Sequence, residues 1–202
     1  NNVRLRNWLD SFFYRRWWVR DYWGDNRGAI RVFYLNGTSW EQLGSTIYGS
    51  PYEEIGRTLS LSGNGTTLAY SARKTSTNTV VRVNRLINQT WKQLGLDISS
   101  GSNSNDFGAS IALSAGGTVI AISAPDSSSS LTGKPSGRVT LFGLSGSSWF
   151  RVADNIDGTY NASEDFGASI ALSSNGTRLL VGAPGINSVK AYTVSNFNVN
   201  TK

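Results

Sequence analysis

Histidine, cysteine and methionine are absent from this 202-residue chain, and proline occurs only four times. Without histidine there is no Ser-His-Asp or Cys-His catalytic arrangement and no imidazole metal site. Without cysteine there are no disulfides, thiolate nucleophiles or cysteine-built zinc sites. Acid and base catalysis by carboxylates survives both exclusions. No run approaches the roughly eighteen apolar residues of a membrane-spanning helix. The content of 39% hydrophobic and 16% charged residues suits a folded chain and carries no bias toward disorder.

What the chain has instead is repetition. Phe107-Gly108-Ala109-Ser110-Ile111-Ala112-Leu113-Ser114 returns unchanged as Phe166-Gly167-Ala168-Ser169-Ile170-Ala171-Leu172-Ser173, and a third copy in register begins at Ile55-Gly56. A period of about fifty residues marks propellers, solenoids and arrays. Each copy opens with a run that alternates polar and apolar residues, Thr58 to Leu61, Ser110 to Leu113 and Ser169 to Leu172, the pattern of a half-buried strand. Asn64-Gly65, Gly116-Gly117 and Asn175-Gly176 follow, and they predict two-residue hairpins of the primed type, which need positive φ at their centre. Nearly continuous apolar runs come next, at 68–70, 119–122 and 179–181, as in strands covered on both faces.

After a loop of variable length a third strand is expected at 80–83, 138–142 and 189–192, with an earlier instance at 29–35. The fourth strand carries tryptophan: Trp40-Glu41-Gln42-Leu43-Gly44, Trp91-Lys92-Gln93-Leu94-Gly95 and a degraded Trp149-Phe150-Arg151-Val152-Ala153. Four short antiparallel strands per repeat is the arithmetic of a propeller blade. The fold class expected is therefore all-β, a β-propeller of about three to four blades in an incomplete ring. The blade units are 28–48, 55–98, 107–156 and 166–194 within a region 24–202. The lack of methionine and a last repeat cut mid-unit lead to the expectation of an incomplete ring.

Phe107-Gly108 with Ala124-Pro125, and Phe166-Gly167 with Gly182-Ala183-Pro184, resemble the FG-GAP repeats of integrin-type β-propellers. With the added Trp-x-Gln-Leu-Gly strand, the chain is similar to the tandem repeats of secreted or surface proteins of microbes and algae. The resemblance covers about residues 28 to 194. It marks Phe107, Gly108, Pro125, Phe166, Gly167, Pro184, Trp40, Trp91 and Trp149 as structural positions of the repeat. One copy departs from it, since Ile55-Gly56 and Ala72-Arg73 stand in place of Phe-Gly and Ala-Pro.

Residues 1–23 break the pattern. They hold four of the seven tryptophans and no repeat motif, and they read as a degenerate or mistranslated blade. The net charge of +6 is concentrated there too, because residues 1–34 hold seven arginines against three aspartates. A basic aromatic segment suits nucleic-acid or membrane binding. The displaced blade is the plainer account, so no DNA or membrane partner is expected.

The acids Asp106, Glu164 and Asp165 stand just before strand starts, where capping of backbone N–H groups explains them as well as catalysis does. Asp106-Phe107-Gly108 spells a kinase triplet but has none of the kinase context, and it recurs with the repeat. The first hairpins carry no carboxylate, so no calcium is expected in them, and no cofactor or metal is expected elsewhere. The longer loops 126–137 and 154–165, with their acids and hydroxyls, leave a weak site open. Sequons occur at Asn36, Asn64, Asn88, Asn161 and Asn175, three of them Asn-Gly-Thr turns. The tryptophans suit either a sugar-stacking groove or packing against the adjoining blade.

The function expected from the resemblance is non-catalytic recognition of a protein or glycan at the cell surface or outside the cell. Its candidate ligand loops contain Thr75, Asn78, Asp126, Lys134 and Asn187. An accessory propeller on a secreted hydrolase is the alternative. Self-association through open blade edges is also expected of an incomplete ring.

Overall fold

The computed structural model describes residues 3–6, 25–75, 78–100, 106–128, 135–159 and 164–194, the backbone alone at 3–6 and 75. Four antiparallel sheets follow one another along the chain. The first contains β1 (Val3–Arg6), β2 (Ala29–Asn36), β3 (Ser39–Gln42) and β4 (Ile47–Tyr48). The second contains β5 (Leu59–Leu61), β6 (Thr67–Thr75), β7 (Asn78–Ile87) and β8 (Thr90–Gln93). The third contains β9 (Ile111–Leu113), β10 (Val119–Ala124), β11 (Arg138–Ser145), β12 (Ser148–Arg151) and β13 (Ile156–Asp157). The last contains β14 (Ser169–Leu172), β15 (Arg178–Ala183) and β16 (Ser188–Thr193), preceded by a 3-10 turn at Pro184–Ile186.

Each sheet is one blade, and the expected strands fall where the repeats place them. Two details differ. Val3–Arg6, inside the atypical 1–23 segment, pairs with β2 in the place of a second strand, Arg6 opposite Arg31. The rest of that segment lies outside the described residues. After β3 and β12 the chain breaks step and then rejoins the third strand through β4 and β13.

The first hairpins are also not the two-residue turns predicted. Ser62 N–H bonds to the Thr67 carbonyl across four intervening residues, and Gly65 N–H bonds to the Ser62 carbonyl. Gly65, Gly117 and Gly176 alone in these loops take positive φ, at 72°, 65° and 76°. Asn64 supplies a side-chain turn instead: its Oδ1 accepts from the Thr66 N–H at 3.1 Å and the Ser62 hydroxyl at 2.7 Å. A primed turn does occur between the third and fourth strands, where Asn88 and Gln89 have φ of 48° and 59°.

The blades pack face to face, and three apolar clusters fill the spaces between them and along them. Ile30 and Val32 pack with Leu68, Tyr70 and Val80 between the first and second blades. Val81 and Val83 meet Phe107, Ile120 and Phe142 between the second and third. Val139 and Leu141 meet Phe166, Leu179 and Val181 between the third and fourth. The second strand β10 is buried along its whole length, as its apolar run predicts. The first strand β9, apolar at all three positions Ile111–Leu113, is buried throughout as well, with neighbouring first strands pressed on it. The Leu113 N–H reaches Ser60 Oγ at 2.9 Å and the Ile170 N–H reaches Ser110 Oγ at 3.3 Å. First strands therefore line the shared axis and the tryptophan strands lie outermost.

Candidate functional site

Antiparallel order sends the links between blades and the loops between second and third strands to one end of the arc. The two kinds of hairpin go to the other end. Ion pairs gather toward the link end. Glu54 Oε1 accepts from Arg73 Nη1 at 2.8 Å, with Arg57 Nε at 3.9 Å from the other oxygen. Arg138 Nε meets Asp157 Oδ1 at 2.6 Å, and Asp25 is paired with Arg27.

A four-member network lies beside them. Arg82 bonds Glu53 Oε1 at 2.6 Å and Asp97 Oδ1 at 2.8 Å, and Lys74 bonds Asp97 Oδ2 at 2.8 Å. Glu53 is buried and also accepts the Ser50 N–H at 2.8 Å. Burial alone would raise the Asp97 carboxyl, but the hydrogen bonds from Arg82 and Lys74 outweigh it and bring it down to about 2. The same contest leaves Glu53 below its ordinary value. Burial raises the hydroxyl of Tyr70, whose oxygen lies 3.3 Å from Asn84 Oδ1.

The pair recurs in the last blade. Glu164, wholly buried, accepts from Lys190 Nζ at 2.8 Å. Lys190 lies opposite Val181 as Arg82 lies opposite Tyr70, so the two cations hold equivalent places on their third strands. In the blade between them that place is Thr140, which bonds Asn155 Oδ1 at 2.9 Å. Lys190 Nζ also stands 5.2 Å from the Phe166 ring centre, and Tyr192 meets that ring edge-on at 6.3 Å. Sequence reasoning singled out Glu164 among the loop acids but missed its partner. The signal was a cation at matching third-strand positions and an acid two residues before the Ile-Gly or Phe-Gly pair.

In each of the last three blades an acid stands at the link end, just before the Ile-Gly or Phe-Gly pair: Glu54, Asp106 and Asp165 occupy the same position in the repeat. Glu54 and Asp165 have positive φ, 46° and 52°, uncommon for residues with side chains. Asp106 accepts the Asp126 N–H, and this fixes Asp126, one of the loop residues singled out above. The three acids stand a blade apart, and among the described residues no group of three or more acidic side chains is close enough to hold a metal.

The other expected loop residues are scattered. Thr75 and Asn78 face each other at the end of a strand pair that runs further than the expected loop, with an irregularity between Arg73 and Thr75. Asn78 has a buried Oδ1 without a hydrogen-bond partner. Asn187 adopts the left-handed conformation, donates its N–H to the Pro184 carbonyl at 3.0 Å and lines a shallow cavity with Pro184 and Val189. Lys134 lies outside the described residues.

The repeat-structural residues have defined contacts. Gly108 and Gly167 have φ of 88° and 94°, and a Cβ on either would come within 3.0 Å of Val81 Cγ2 or 2.9 Å of Ser123 Cβ on the preceding blade. Phe107 and Phe166 are buried beside them. Pro125 follows the end of β10 and Pro184 starts the 3-10 turn. Trp91 Nε1 donates to the Leu43 carbonyl at 3.0 Å, and Trp149 Nε1 to Leu94 at 3.0 Å. Trp40 is more open, 41% exposed.

No protein-family model matches the chain, and no curated protein matches its sequence. Solved structures do match its fold. A protein described as a 6-phosphogluconolactonase from Bacteroides uniformis superposes with a TM-score of 0.56 at 16% identity, over 84% of this chain and 45% of that one. Hydrazine synthase of Kuenenia stuttgartiensis gives 0.55 at 18%, over 85% and 47%. The periplasmic gluconolactonase of Pseudomonas aeruginosa gives 0.50 at 18%, over 83% and 46%. The chain thus spans less than half the length of these structures.

Two expectations are corrected by these likenesses. A purely non-catalytic recognition segment, and the statement that the chain is not an enzyme, came from a resemblance to adhesive propellers. Structures that share the architecture carry lactonase names, so the architecture by itself does not make a chain non-catalytic. The physical reason is that Phe-Gly, Pro and Trp hold blades together and carry no information about the ligand. The hydrolase alternative lies closer to the findings. The fold itself is settled: this chain is an open arc of β-propeller blades.

Proposed function

We propose that this chain is part of a hydrolytic propeller that opens cyclic esters of sugar acids at the link end of its axis. The observation that carries the reading is the set Glu54, Asp106 and Asp165, one acid at the start of each of the last three blades, two of them in the left-handed conformation beside an arginine-bearing rim. Backbone strain of this kind gathers at functional sites. The architecture shared with a gluconolactonase supports the substrate class.

In such a step a carboxylate takes a proton from water while the water oxygen attacks the lactone carbonyl carbon. Charge develops on the carbonyl oxygen, and a guanidinium is the group suited to receive it. The ring C–O bond then breaks, and the departing alkoxide takes a proton. Solvent-exposed Asp165 is the base best placed to meet a soluble substrate, and Arg57 at the same end supplies exposed positive charge.

An FG-GAP-like repeat and export from the cytoplasm belong to the same reading. The Phe-Gly and Ala-Pro spacing supports the first, and the periplasmic location named for the gluconolactonase supports the second.

Titration at constant pH with glucono-1,5-lactone tests the activity. Acid release at least tenfold above the spontaneous rate, lost in Asp165→Asn, is the expected result. A rate equal to that of buffer alone would overturn catalysis by this chain and leave the accessory-domain alternative.

A further inference from the structure

Each left-handed acid of the link end stands between two buried neighbours. Glu54 lies between Glu53 and Ile55, both buried, and Asp165 between Glu164 and Phe166, both wholly buried. The apolar neighbour is fixed at the blade joint, where the Ile55 N–H reaches the Arg27 carbonyl and the Phe166 N–H the Ser136 carbonyl, both at 3.2 Å. The acidic neighbour is fixed by a cation on the third strand of its own blade: Arg82 on Glu53 at 2.6 Å and Lys190 on Glu164 at 2.8 Å. Further bonds hold these pairs, from the Ser50 N–H to Glu53 Oε2 at 2.8 Å and from Lys190 Nζ to Thr159 Oγ1 at 3.2 Å.

A left-handed residue with a side chain crowds its Cβ against the following carbonyl, so the conformation persists only where the surroundings over-determine it. Anchoring both neighbours inward supplies that constraint, and the residues between them have φ of 46° and 52°. The third blade departs at both anchoring places together. Asn105 stands where Glu53 and Glu164 stand, and Thr140 where Arg82 and Lys190 stand. In the last three blades, then, the acid and its cation are either both present or both replaced.

We propose that Arg82 and Lys190 are positioning residues: through Glu53 and Glu164 they hold the backbone of Glu54 and Asp165 in the left-handed conformation, and so set where those carboxylates stand. Each cation acts through a buried carboxylate and the next peptide unit. The clamp is a property of the fold, and its part in chemistry rests on the hydrolytic reading above.

Exchanging the pair for the residues of the third blade tests this. Glu164→Asn with Lys190→Thr removes both charges and installs side chains that another blade of this chain carries at those places. Asp165 is exposed, so Asp165→Gly and Asp165→Ala report on its backbone. Glycine accepts positive φ and alanine resists it, whereas at a relaxed position glycine is the more costly of the two. In the natural chain Asp165→Gly should have the higher urea midpoint, and in the exchanged chain the order should reverse. Lys190→Arg, which keeps a cation there as the second blade does, should keep the natural order. A preference for glycine undiminished by the exchange would overturn the clamp, as would a preference for alanine in the natural chain. If circular dichroism shows the exchanged chain unfolded, Glu164→Gln with Lys190→Met, closer in shape, gives the same comparison.

Hydrolysis of glucono-1,5-lactone separates the clamp from the reading it serves. The exchange should lower kcat at least tenfold with KM little changed. An active chain whose kcat withstands the exchange would overturn the positioning role. An inactive natural chain would overturn the hydrolytic reading, and the midpoints would still decide the clamp.

Discussion

The indole Nε1 of Trp149 donates to the carbonyl of Leu94 at 3.0 Å, and the Trp ring lies where a Cβ on Gly95 would be 2.9 Å from its Cδ1. The two ends of the Trp-x-Gln-Leu-Gly motif thus serve different joints. Tryptophan reaches back to the preceding blade, and Leu-Gly receives the tryptophan of the following one. Gln93 bonds the Gly95 carbonyl at 3.2 Å and Asp97 Oδ1 at 3.0 Å, which holds the receiving segment in shape.

Trp149→Phe should destabilise the fold by about 1–3 kcal/mol, because it keeps most of the apolar area but leaves the Leu94 carbonyl without its donor. Urea unfolding followed by the remaining tryptophans measures it. A midpoint unchanged within error would show that the bond contributes nothing net.

Gly167→Ala should cost more than a surface Gly→Ala, about 2 kcal/mol or above, since φ is 94° and the methyl would meet Ser123 Cβ at 2.9 Å. Gly146→Ala has positive φ, 59°, with open space around it, and it isolates the backbone cost. Comparing the two midpoints separates strain from blade contact, and equal losses would refute the contact.

Lys190→Ala should destabilise by about 3 kcal/mol, because it removes a cation from a carboxylate that has no exposure to water. Adding Glu164→Gln should recover part of that loss by removing the buried charge. A double-mutant cycle read by urea unfolding gives the coupling, and strictly additive losses would rule it out.

Acid should weaken the second blade through Asp97. Its carboxyl lies at about 2 in the folded chain against 3.8 unperturbed, so the stabilisation is present above pH 3.8 and is lost as pH falls toward 2. Glu53, also lowered, acts in the same direction. Thermal midpoints of the natural chain and Asp97→Asn, taken from pH 5 to pH 2, should converge as pH falls. Parallel curves would contradict the assignment.

Much of the arc was legible in the chain because each blade repeats the same local problem. Phe-Gly turns the chain against its neighbour, an apolar run makes a strand covered on both sides, and tryptophan marks the outer edge. The turn geometry was less legible. Asn-Gly pairs suit a primed two-residue hairpin, but here the Asn64 side chain bonds its own loop, so the chain spans four residues. The site was less legible still, since Glu53 and Arg82, or Glu164 and Lys190, are brought together from a link and a third strand.

The order of residues alone determined the all-β class, the strand sequence and the motifs that join one blade to the next, because positive φ, alternation and apolar runs are local properties with local costs. Only the tertiary structure decided which acids acquire cations and which members of a repeated position stay uncovered. Val189 and Val139 carry the same side chain at the same place in the repeat, and one is exposed while the other is buried. That difference depends on whether a neighbouring blade packs against the residue, and no local pattern records it.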